Sequence, residues 1–152
     1  MYKIVRTDYG LHITMSGQYA KEEIQRYVAE KEAILNTFTE PYSLLVDLRS
    51  AIPPEDADEG LLAQSQRRMK GGHLLRMAII VMSPVLEAQA KQIVFTSGLE
   101  DRTRVINANR VRTWDTAALD WIIKGVEPIN ERSTNDSSPN PIQLLGTFSR
   151  KL

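Results

Sequence analysis

"LLVDLRSAIPPEDADEGLL" occupies residues 44–62. Residues 44–48 are apolar except for Asp47. A short, nearly continuous apolar run suits a strand covered on both faces, as in a parallel sheet. Pro53 and Pro54 then hold the chain extended, because a residue that precedes proline avoids helical torsions. Four acids follow within five positions: Glu55, Asp56, Asp58 and Glu59, with Ala57 between them. Acids in a first turn meet free amide N–H groups and the positive end of the helix dipole, so a helix starts here. Arg67, Arg68 and Lys70 suit its last turn, and Gly71-Gly72 supply its stop.

Outward from this strand–loop–helix unit, the pattern alternates. Residues 2–6 and 11–16 read as two strands joined by the turn Asp8-Tyr9-Gly10. The second places Leu11, Ile13 and Met15 against His12, Thr14 and Ser16, a period of two. Residues 19–41 hold a helix with Ile24, Tyr27, Val28, Ile34 or Leu35, and Phe38 on one face, bounded by Pro41. Beyond Gly72, the strongly apolar residues 74–83 predict a central strand. Pro84 suits the first turn of a helix ended by Gly98, with Leu86, Ala90, Ile93, Val94 and Ser97 on one face. Residues 103–110 are read as a strand and 113–125 as a helix capped by Asp115 or Thr116. The order β-β-α-β-α-β-α-β-α predicts an α/β layered fold, with a mostly parallel sheet of about five strands and about four helices.

The chain of 152 residues is 42% hydrophobic and 25% charged, which suits one globular domain. From Glu127 onward it turns polar and rich in Ser, Asn and Pro, so residues 1–126 form the expected domain and 127–152 a linker and tail. Ile142, Leu144, Leu145 and Phe148 make that tail apolar enough to dock on the body or on a second copy, giving a homodimer; the alternative is a frayed tail. There is no cysteine, which excludes disulfides, thiolate metal sites and Cys nucleophiles. Net charge is zero, so the basic footprint of a nucleic-acid binder is missing. No apolar run reaches membrane-spanning length, and the N-terminal residues lack a signal-type apolar region. The expected location is the cytoplasm, with no nucleic acid and no membrane as partner.

The stretch from residue 44 to 62 resembles the STAS, or SpoIIAA-like, family of anti-sigma-factor antagonists. Asp47-Leu48 match the family's strand end, and Gly60-Leu61 match the Gly-Leu pair that opens its second helix. Residues 83–108 are similar to its third helix and last strand, and the likeness spans roughly residues 2–125. It implies a SpoIIAA-like fold and a protein-interaction role, in which a serine at the start of the second helix accepts phosphate from a kinase. This chain has Asp56-Ala57 there, or Glu55-Asp56 one residue earlier, with no hydroxyl. Ser50 and Ser65 lie before and inside the helix. The chain therefore resembles divergent, stand-alone bacterial members without the phosphate switch.

The acids have three readings. They are a helix start, a partner-binding surface made of Glu55, Asp56, Ala57, Asp58 and Glu59, or carboxylates for a divalent ion, although the spacing is not that of a calcium loop. Asp47, Arg49, Ser83 and Asn107 fall at strand ends, where open α/β sheets take ligands, and form a candidate ligand rim. Their plainer roles are backbone capping for Asp47 and a helix N-cap for Ser83. Arg102 and Arg104, two apart, would clamp an anion or keep a sheet edge soluble. Trp121 is expected in the core, with Trp114 at the start of the last helix. His12 and His73 stand far apart, and no zinc motif, nucleophile elbow, Walker loop or dinucleotide fingerprint is present. No catalytic residue, metal or cofactor is expected. The functional expectation is a non-enzymatic interaction module that binds another protein; the alternative is a small-molecule or lipid carrier, marked by an apolar cavity of about 300 Å³ or more.

Overall fold

The computed structural model describes residues 1–54 and 56–129, the side chains of residues 56–58 excepted. Its elements are β1 (Tyr2–Arg6), β2 (Gly10–Gly17), α1 (Lys21–Leu35), β3 (Tyr42–Ala51), α2 (Asp56–Met69), β4 (Leu74–Val81), α3 (Pro84–Ser97), β5 (Thr103–Asn107) and α4 (Trp114–Lys124). The sheet order is β1-β2-β3-β4-β5, so β3 is the central strand. β1 pairs with β2 antiparallel, and the remaining pairings are parallel. The predicted class and element order are those observed.

The topology dictates where the helices go. Each parallel connection advances one strand in the same direction, and right-handed crossovers then lay α1, α2 and α3 on a single face. Their apolar residues do pack there: Ile24, Tyr27 and Val28 of α1, Met69 of α2, and Leu86, Ala90 and Val94 of α3. The other face would be bare without α4, whose Ala118, Trp121 and Ile122 cover it. Interior strands therefore send alternate residues to two cores. Leu44 and Val46 of β3 face α1–α3 while Leu45 faces α4, and in β4 Met77, Ile79 and Val81 oppose Ala78 and Ile80. This two-sided burial is the reason that both strands read as continuous apolar runs.

The helix ends follow the sequence with one correction. Ser83 caps α3, its Oγ accepting from Leu86 N at 3.0 Å, and Pro84 opens the helix. Gly98 ends α3 at φ 75°, a left-handed torsion natural only to glycine. For α4 the N-cap is Thr113, which makes no side-chain capping bond, rather than the expected Asp115 or Thr116; both of those lie inside the first turn. Trp121 Nε1 donates to Met77 O at 3.0 Å and Ser43 Oγ to Ile122 O at 3.1 Å, fastening α4 to the sheet. Glu127, which the sequence places in the linker, binds Arg104 through two hydrogen bonds of 2.7 Å.

Candidate functional site

A cavity of about 310 Å³ opens at the carboxyl ends of β2 and β3, between α1, the start of α2 and α3. Alternation along the strands places its walls. Met15 of β2 and Leu48 of β3 point to the side of the sheet that carries α1–α3. Ile24 of α1, Leu62 of α2 and Ile93 of α3 face them across the gap. The space exists because small residues stand where bulk would close it: Ala20, Ala51 and Ala90 all lie on its boundary. Ile52, Pro53 and Pro54, which lead into α2, form the outer wall, and Ile52 is half exposed.

Few polar groups enter this space. Gln89 Nε2 donates to Pro54 O at 3.3 Å, joining α3 to the outer wall. Its Oε1 is buried without a hydrogen-bond partner among the described residues. Lys21 stands at the exposed mouth. Behind Met15, Leu48 and Leu62 lies a second space of about 60 Å³, which Tyr27, Lys31 and Gln66 also line. Lys31 is 3% exposed.

The candidate rim lies outside this cavity and does not gather in one place: Asp47 pairs with Arg49, Ser83 caps α3, and Asn107 binds Glu87. Asp47 and Arg49 point to the α4 side of the sheet. There the Arg49 guanidinium grips both Asp47 carboxylate oxygens, at 3.0 and 2.9 Å, and stacks 4.1 Å from the Trp114 ring centroid. Asp47 also accepts from Arg49 N at 3.0 Å, the capping role. Burial alone would raise the Asp47 carboxyl, but the bonds from Arg49 outweigh it and hold the carboxyl below its ordinary value. Asn107 Nδ2 donates to Glu87 at 3.1 Å, and its Oδ1 accepts from Asn109 N at 2.9 Å. Glu87, 9% exposed in the first turn of α3, is also held by Arg110 and by Lys91. Burial pushes its carboxyl up, and these three donors bring it below the usual range.

Of the acidic stretch, Asp56 opens α2 and Glu59 lies in its first turns, half-buried. Glu55 lies outside the described residues, as do the side chains of Asp56, Ala57 and Asp58. The tail from residue 130 onward lies outside them too. Ser65 is fully buried, so no kinase reaches it in the folded chain, and its Oγ has no hydrogen-bond partner among the described residues. Arg102 donates to Leu74 O, and Arg104 is held between Glu127 and the Trp121 ring. Among the described residues, no three His, Asp or Glu side chains converge as metal ligands would, and no helix is long and apolar enough to cross a membrane.

Sequence reasoning named an apolar cavity as the mark of the carrier alternative without placing it, and it missed Lys31 and Glu87. For Lys31 a signal was present. It stands seven residues after Ile24 and four after Tyr27, inside the apolar stripe of α1.

No family model matches the sequence, and no curated protein is detectably similar to it. Among solved structures, the chain is similar to an uncharacterised protein of the DUF3478 family from Shewanella loihica PV-4, described as having a SpoIIAA-like fold. The match has a TM-score of 0.55 at 17% identity and covers 80% of this chain and 92% of that one. The SpoIIAA-like fold predicted from the sequence is therefore the fold of this chain.

Proposed function

We propose that this domain is a non-enzymatic binding module that carries a small apolar molecule in the cavity at the ends of β2 and β3. One observation carries the reading: about 310 Å³ of space with mainly aliphatic walls, at the carboxyl ends of two neighbouring parallel strands. Small-molecule sites start at about 300 Å³. Open α/β sheets also take their ligands beyond the carboxyl ends of the strands. Gln89 Oε1 offers such a ligand one unused acceptor. The test is native mass spectrometry of freshly purified protein, followed by titration of the stripped protein with an apolar fluorophore. A retained mass, or saturable one-to-one binding that Ala51→Phe weakens by about tenfold or more, is expected; tenfold is about 1.4 kcal/mol. A clean apo mass together with no saturable binding would remove the reading.

A second reading has its own observation. Ile52, 50% exposed, leads directly into the acid-rich start of α2, so an apolar residue and negative charge share one loop on a rigid scaffold. That combination suits docking of a basic protein partner through Glu55, Asp56, Ala57, Asp58 and Glu59. Such binding would weaken with salt. Changing the four acids to their amides should abolish capture of that partner; unchanged capture argues against the surface.

A further inference from the structure

Lys31 occupies a position where an aliphatic side chain would cost nothing. The inward face of α1 is Ile24, Tyr27, Val28 and Lys31. The ammonium lies 5.1 Å from the centroid of the Tyr27 ring. Among the described residues it makes no ion pair, and the adjacent Glu32 pairs with Arg68 of α2. A buried cation without an anion is costly, by several kcal/mol even after relaxation. A cation–π contact offsets only about 1–2 kcal/mol of that. The small space that Lys31 lines, about 60 Å³, exceeds the ~10–15 Å³ that a cavity needs to hold a water. It shares Met15, Leu48, Leu62, Ala90 and Ile93 as walls with the 310 Å³ cavity. A large aliphatic space therefore shares walls with a small one that Lys31 lines.

We infer that the cavity takes a carboxylate with a single apolar chain, its head group paired with Lys31 and its chain lying in the larger space. This rests on the carrier reading and names the ligand class within it. One ammonium and a space this small suit a carboxylate, with one charge and two oxygens. A phosphate, with about two charges and more oxygens to satisfy, would need further donors. Burial lowers the Lys31 ammonium to about 8, Glu32 opposing and Arg68 reinforcing, so at neutral pH it is still a cation. Tyr27 is raised by burial and stays neutral, and the sheet residues facing the same space are apolar.

The experiment compares decanoate with decanol on the stripped full-length chain by calorimetry at pH 7. Decanoate should bind about tenfold or more tightly. Lys31→Met should erase this preference while decanol still binds, and Lys21→Gln at the mouth should leave it intact. Circular dichroism checks the fold of each variant, and the ligand comparison on the unaltered chain stands without them. Equal binding of the two ligands would overturn the inference and leave the carrier reading standing. Binding of neither would sink both, and a preference lost in Lys21→Gln instead would put the head group at the mouth and overturn the role of Lys31.

Discussion

At the scale of single residues, Lys31 sets charge against burial. Above about pH 10.5 the amine is neutral in both the folded and the unfolded chain, and its burial costs little. Between about 10.5 and 8 the unfolded chain keeps a proton that the folded chain lacks, so stability falls as pH falls. Below 8 both states are charged and the whole penalty is present. The groups that face the ammonium are Tyr27 and Glu32 on its own helix and Arg68 on α2, with Glu32 and Arg68 paired to each other. Lys31→Met should therefore stabilise the apo protein at pH 7 by about 1–3 kcal/mol, the range seen when buried charges give way to apolar groups. The gain should shrink steadily from pH 8 toward 10. Urea unfolding of both proteins at pH 7 and 9.5 measures it. A gain of equal size at both values would mean that the ammonium is solvated in the folded state. Glu87 is the opposite case, a buried carboxylate whose three donors satisfy it, and it ties α3 to β5 and the loop that follows.

At the scale of elements, two glycines make opposite demands. Gly10, the first residue of β2, has φ 147°, and a Cβ there would collide with the backbone carbonyl of Ser43 in β3. Gly60 lies in α2 with open space where a Cβ would go. Gly10→Ala should cost about 3 kcal/mol or more, through strain and a displaced strand pair. Gly60→Ala should add about 0.5–1 kcal/mol by restricting the unfolded chain. Thermal melts of the two variants decide; a tolerated alanine at position 10 would mean that β2 and β3 do not meet as described. The elements themselves were legible in the sequence because their signals are local. The alternation of Leu11, Ile13 and Met15 marks β2, and Ser83-Pro84 and Gly98 mark the ends of α3. What stayed hidden depends on partners distant in sequence. Thr113 precedes α4 where Asp115 or Thr116 looked better suited, and Lys31 does not read as core because charge ordinarily means solvent. The cavity follows from Ala20, Ala51 and Ala90 meeting in space, which no periodicity reveals.

At the scale of the molecule, the two cores share one sheet, so neither should melt alone. β3 and β4 feed both: Val46 and Ile79 pack toward α1–α3, while Leu45 and Ile80 pack toward α4. Both tryptophans, Trp114 and Trp121, lie in α4. Their fluorescence thus reports the α4 layer, and far-UV circular dichroism reports all the helices. If the sheet couples the layers, the two signals should trace one urea transition with a common midpoint, as for a two-state domain. Trp121→Phe keeps most of the apolar volume but abandons the hydrogen bond to Met77 O, leaving Trp114 as the fluorescent reporter. It should shift both signals together by about 1–3 kcal/mol. Fluorescence that changes at lower urea than circular dichroism would show α4 peeling from a sheet that survives without it. The α1–α3 layer and its cavity would then be the independent folding unit, and α4 a cover that can leave while the binding site stays formed.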